Sequence, residues 1–289
     1  MNEQLIGIFD SGVGGLTVYR AIRARLPKEK VIYLGDTARI PYGTRSPATV
    51  RRYAHQDAAF LYKHNVKMLV VACNTISSVA LESLQEIFPI PILGVIEPGA
   101  RRAVRTTRNG RVGVIATEAT VESDAYRKAI HAIDTNIEVF SQACPLFVAL
   151  AEEGWSEHAA TRLIATEYLA PLKQAGIDTL VLGCTHYPLL RQTIQSVIGE
   201  DVILLDSGEC AADEVESLLT HDQVRAATQD NGHTDIFCVT DSGRRFRRIA
   251  TLFLGTPIEN LIAVDIWDSR TQADSVGDLD LLANALNAS

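Results

Sequence analysis

Cys73 and Cys184 stand at matching places in this sequence. Each closes a short apolar run, Met68–Ala72 in one case and Thr179–Gly183 in the other. Small polar residues follow each thiol, Asn74-Thr75 and Thr185-His186, and a segment of helical pattern comes next. Such runs read as strands buried on both faces of a parallel sheet. Each thiol is therefore expected at the carboxyl end of its strand, the edge at which open α/β sheets bind ligands. A free thiol has a pKa of about 8.5, and a helix N-terminus is expected to lower it. Two thiols facing each other suit inversion of a carbon centre. One takes a proton from one face, the other delivers a proton to the opposite face, and the roles swap in reverse.

Other residues gather at the same edge. Asp10 and Ser11 follow the apolar run Leu5–Phe9, and His186 lies two residues after Cys184, so Asp10 and His186 are candidate proton partners. Ser11, Asn74, Thr75 and Thr185 are candidates for holding a polar, carboxylate-bearing substrate, helped by backbone N–H groups at helix starts. Tyr42-Gly43 and Thr117 mark further polar turns at that edge. Gly12-Val13-Gly14-Gly15 lacks the third glycine of a dinucleotide fingerprint and the Lys-Ser/Thr of a phosphate loop, and reads as a tight strand-to-helix turn. Cys144, Cys210 and Cys238 read as core residues. The five cysteines are scattered, with no metal-like Cys/His spacing, so no metal is expected.

These turns need a scaffold that presents them together. Apolar runs at Leu5–Phe9, Val31–Gly35, Met68–Ala72 and Ile92–Val95 alternate with helical patterns, and the plan restarts at Pro98. Runs at Arg111–Ala116, Ile137–Ser141, Thr179–Gly183 and Val202–Asp206 repeat it at a near-constant offset, which implies a duplicated unit of parallel βαβ crossovers. The later strand and helix, Asp235–Thr240 and Ser242–Leu254, are expected to return to the first half. The expected domains are 1–97 with 208–267, then 98–207, with a polar, mobile tail at 268–289. A net charge of −8 argues against a general nucleic-acid binder. The run Arg244-Arg245-Phe246-Arg247-Arg248 reads as the solvated face of a helix. No apolar run approaches the roughly 20 residues that span a bilayer. Free thiols and a start that passes directly into a strand fit a cytoplasmic protein.

Four motifs then resemble one family. Phe9–Val18 (FDSGVGGLTV), Pro41–Gly43 (PYG), Ala72–Thr75 (ACNT) and Gly183–Pro188 (GCTHYP) are similar to the glutamate racemases of the aspartate/glutamate racemase superfamily. The likeness implies two flavodoxin-like parallel-sheet domains related by a pseudo-two-fold, with the active site between them. It implies cofactor-independent interconversion of L- and D-glutamate for peptidoglycan, with Cys73 acting on D-glutamate and Cys184 on L-glutamate. Asp10 is then the partner of the first thiol, and His186 with Glu152 that of the second. Sequence position alone does not pick out Glu152. Asp10, Ser11, Pro41, Tyr42, Gly43, Asn74, Thr75, Thr117, Thr185 and His186 become substrate-binding positions. A homodimer is implied. Some members carry an N-terminal extension linked to activation by a peptidoglycan precursor; this chain starts almost at its first strand, so that mode of regulation is not expected. An aspartate racemase of the same superfamily, a noncatalytic ligand-binding module and a thiol redox protein stay open as rivals.

Overall fold

Four inner strands are buried along their whole length, and a fifth, Arg111–Ala116, at all but its first residue, which is why the sequence shows continuous apolar runs instead of alternation. The computed structural model describes residues 4–221, 235–241 and 243–266. The expected tail, 268–289, lies outside the described residues. In chain order the first elements are β1 (Leu5–Asp10), α1 (Leu16–Arg25), β2 (Val31–Gly35), α2 (Pro47–Lys63), β3 (Val66–Val71), α3 (Asn74–Val79), α4 (Leu81–Ile87) and β4 (Ile92–Gly94). After α5 (Ile96–Thr106) come β5 (Arg111–Ala116), α6 (Glu118–Glu122), α7 (Ala125–His131), β6 (Glu138–Ala143), α8 (Leu146–Glu152), α9 (Ala159–Gln174), β7 (Thr179–Gly183), α10 (Arg191–Ile198) and β8 (Ile203–Asp206). The rest is α11 (Ser207–His221), β9 (Ile236–Val239), α12 (Gly243–Leu254) and β10 (Leu261–Ala263).

The strands form two all-parallel sheets, β10-β9-β2-β1-β3-β4 and β6-β5-β7-β8. The segment β2-β1-β3-β4 and the whole of the second sheet share one order. Both are the flavodoxin-like order, which reverses direction between its first and third strands and opens a crevice there. The reversal falls between β1 and β3 in one sheet and between β5 and β7 in the other. Register makes the match finer: Phe9 pairs with Val71 and Ala116 with Gly183, so Ser11 lies level with Cys73 and Thr117 level with Cys184. β9 and β10 extend the first sheet beyond β2, so the chain returns to its first half.

Three local features depart from the sequence reading. Helix α5 is an addition. Pro98 and Gly99 suggest a break there, but Pro98 sits in the first helical turn, where its missing N–H leaves no bond unmade. Ile96, Ala100 and Ala103 bury the inner face of this helix, which spans the expected 97/98 boundary. The helical segment expected after Asn74-Thr75 starts at Asn74 itself and divides at Ala80. Cys184 is followed by a 3-10 turn, Tyr187–Leu190, before α10 begins, so only Cys73 directly precedes an α-helix.

Candidate active site

The two crevices open into one cavity of about 520 Å³. Its wall includes Ser11, Pro41, Tyr42, Gly43, Cys73, Asn74, Thr75, Thr117, Glu152, Cys184, Thr185 and His186. Both thiols are therefore on it, each only 6% exposed. Asp10, also expected to touch substrate, is fully buried behind that wall. Its Oδ2 accepts the Gly12 N–H at 2.9 Å, which turns the carboxylate toward the start of α1. Its Oδ1 has no hydrogen-bond partner. Burial raises the Asp10 pKa, against the opposing pull of His186 and of the Gly15 and Gly12 N–H groups.

The surroundings of the thiols differ. Cys73 donates to Ser11 Oγ at 3.5 Å. Its pKa is pushed up to about 12, first by burial and then by the Asp10 charge. The sequence reading expected the helix N-terminus to lower this value. The Ile76 N–H in the first turn of α3 does act in that direction, but burial outweighs it. Cys184 Sγ lies 3.9 Å from His186 Nδ1, and His186 Nε2 lies 3.1 Å from Glu152 Oε1. Arg245 completes the row, donating to Glu152 Oε2 at 2.9 Å. Burial by itself would lower the His186 pKa, yet its bonds to Cys184 and Glu152 raise it to about 10. Burial likewise acts to raise Glu152, but His186 and Arg245 hold it below its ordinary value.

Polar side chains close the cavity from both sheets. Thr75, Thr117 and Thr120 form a triangle of hydroxyls at 3.0–3.3 Å. Asn74 accepts from the Tyr126 hydroxyl at 2.7 Å and donates to Ser207 Oγ at 3.3 Å, so the loop after β3 is tied to elements beyond β4. The Tyr42 hydroxyl donates to Asp36 and, at 3.3 Å, to Asp57. Both carboxylates are fully buried and pair with Arg39, which fixes the Pro41–Gly43 turn. Among the described residues no cluster has the composition of a metal site.

The wall also holds residues that the sequence reading did not select, including Pro145, Val148, Ala149 and Arg245. Pro145, Val148 or Ala149, and Glu152 recur at helical spacing, so one face of the α8 region lines the cavity. That stripe was the available signal for Glu152. Arg245 belongs to the run read as a solvated helix face. Its side chain is 62% exposed, as that reading requires, yet its tip reaches Glu152.

Two thiols at matching strand ends share this cavity, an arrangement that suits an isomerase that inverts a carbon centre. The chain belongs to the Asp/Glu/Hydantoin racemase family, which it matches over residues 6–215, and it is a racemase. It is 53% identical over 266 residues to the glutamate racemase of Geobacter metallireducens, covering 92% of this chain and 98% of that protein. A glutamate racemase isoform from Bacillus anthracis has a similar structure, with TM-score 0.88, 42% identity and coverage of 92% of this chain and 99% of that one. The Francisella tularensis glutamate racemase in complex with D-glutamate gives TM-score 0.87, 41% identity and coverage of 92% and 99%. No helix among the described residues is long and apolar enough to cross a membrane.

Proposed function

We propose that this racemase interconverts L- and D-glutamate without a cofactor, using Cys73 and Cys184 as its two acid/base groups. The observation that carries the reading is the placement of the two thiols, level with Ser11 and Thr117 at equivalent strand ends, on one cavity. The relatives named above, glutamate racemases of which one holds D-glutamate, support glutamate as the substrate.

In the L-to-D direction the Cys184 thiolate takes the α-proton, and the C–H electron pair passes into the adjacent carboxylate as an enediolate. The Cys73 thiol then delivers its proton to the opposite face. Cys184 ends protonated and Cys73 ends as thiolate, so the proton count balances. The reverse reaction uses Cys73 as the base. His186, held by Glu152, assists Cys184, and Asp10 assists Cys73. Ser11, Asn74, Thr75, Thr117, Thr185 and the Pro41-Tyr42-Gly43 turn hold the substrate's carboxylates and ammonium by hydrogen bonds. The protein works in the cytoplasm as a homodimer and supplies D-glutamate for peptidoglycan. Its domains are 1–97 with 208–267, and 98–207.

The test is to incubate the protein with L-glutamate in deuterated water and follow optical rotation together with α-deuterium. Loss of rotation with deuterium in the product, abolished by Cys73→Ser and by Cys184→Ser, is the expected result. Exchange with L-aspartate but not glutamate would reassign the substrate. Silence with both would leave a binding module.

A further inference from the structure

The Gly12–Gly15 turn reads in sequence as a tight turn, but backbone freedom is not what its last two glycines supply. Neither Gly14 nor Gly15 has a positive φ, and Gly15 sits at φ −59° and ψ −10°, open to any residue. Space is what demands them. A Cβ on Gly14 would stand 2.2 Å from Thr185 Oγ1 and 2.5 Å from both Cε1 and Nδ1 of His186. A Cβ on Gly15 would stand 2.5 Å from Asp10 Cβ and 2.9 Å from the Tyr33 hydroxyl. Adjacent positions thus abut the proton partners of different thiols.

The obstructed groups have little room to retreat. His186 is 7% exposed, bonded to Glu152 and packed edge-to-face with Phe253 at 5.4 Å between ring centroids. The ring edge over Gly14 carries Nδ1, the atom facing Cys184, so any displacement changes that 3.9 Å approach directly. Asp10 Cβ is fixed by the backbone of β1, and no side-chain rotation moves it. A third contact ties the turn to the loop of the second thiol: Thr17 Oγ1 lies 3.0 Å from both Gly14 O and Thr185 O.

We infer that Gly14 and Gly15 are positioning residues, Gly14 seating His186 for Cys184 and Gly15 seating Asp10 for Cys73, so that one turn sets both proton relays. The inference rests on the two-thiol reading above and predicts lesions confined to one side. Displacement on the ångström scale costs about 100-fold in rate, and kcat/KM must fall equally in both directions because the enantiomers have equal energy. Primary isotope effects on α-deuterated substrates separate the sides. In Gly14→Ala, transfer at Cys184 becomes limiting and the effect rises with L-glutamate. In Gly15→Ala it rises with D-glutamate. Thr17→Val adds no atom at the turn but removes the hydroxyl between Gly14 and Thr185, and it should raise the L-side effect as Gly14→Ala does.

The experiment measures both isotope effects for the three full-length variants, with folding checked by circular dichroism. Opposite biases for the two alanine variants support the inference. Equal biases, reversed biases or none would overturn it while wild-type racemisation stands. If the alanine variants do not fold, Thr17→Val decides: a rise confined to L-glutamate supports the seat, and any other outcome overturns it. A wild-type protein that does not racemise glutamate would instead remove the functional reading itself.

Discussion

Glu152→Gln isolates the electrostatic part of the Cys184 relay. Glutamine keeps the side-chain length and an acceptor for His186 Nε2, now 3.1 Å from Glu152 Oε1, but it removes the charge. It also turns an amide toward Arg245, which donates to Oε2 at 2.9 Å. A hydrogen bond to a charged group contributes about 1.5–3 kcal/mol, against about 1 kcal/mol for a neutral one. The loss is then about 0.5–2 kcal/mol, or roughly 2- to 30-fold in kcat/KM at a factor of ten per 1.36 kcal/mol. His186 should also lose part of what raises its pKa to about 10, so the variant's activity should decline within the interval from 6.5 to that value. Circular dichroism of glutamate racemisation across this interval, with both α-deuterated enantiomers, reads all three effects. An isotope effect that grows for L-glutamate is expected. Activity within about twofold of wild type and an unchanged pH profile would refute the relay.

Asp10→Asn should slow racemisation by on the order of tenfold or more yet raise the melting temperature at neutral pH. The carboxylate's folded pKa lies above its unfolded value of 3.8, so stability is lost as pH rises through that window, and asparagine removes the loss. Thermal melts of the two proteins should converge below the window, and a lower neutral-pH melting temperature for the variant would contradict this account. His186 acts with the same sign: its contribution is full below pH 6.5 and is lost as pH climbs through about 10. Wild-type melting temperatures should fall over that range, and His186→Asn should flatten the curve. Tyr42→Phe takes a donor from two buried carboxylates, Asp36 and Asp57, and should destabilise the fold by about 1–3 kcal/mol in urea titration.

The strands were legible because a strand buried on both faces must be an apolar run, and the polar residue that ends it is conspicuous. That made Cys73, Cys184 and the repeated spacing of the strands accessible from sequence, whereas their order within each sheet was not. Helix α5 was not, because Pro98-Gly99 looks like a break until its place in the first turn is known. The Glu152–His186 bond joins α8 to the loop after β7, and neither residue marks the other in sequence. Arg245 comes from a helix reached only after the chain has returned to the first sheet. The direction of the Cys73 shift could not be read either. Proximity to a helix start is visible in sequence, whereas the depth of burial that outweighs it is not.

The repeated strand order places two thiols alike, but their partners are unlike in charge, and this has a kinetic consequence on the two-thiol reading. Cys73 lies beside buried Asp10 with its pKa pushed up to about 12, so it rests as the thiol. Cys184 faces a histidine whose pKa is raised to about 10 and which therefore carries a proton at neutral pH. A proton on Cys73 and an imidazolium beside Cys184 suit a turnover that starts from L-glutamate. One that starts from D-glutamate needs the proton to leave Cys73 first. The equal energies of the enantiomers constrain only kcat/KM, so kcat and KM can each differ between directions by one common factor. Progress curves begun from each pure enantiomer should therefore give unequal kcat values with equal kcat/KM. Identical kcat values in both directions would mean that Asp10 and the His186–Glu152 pair serve their thiols equivalently, although one is a lone buried carboxyl group and the other an imidazolium–carboxylate pair.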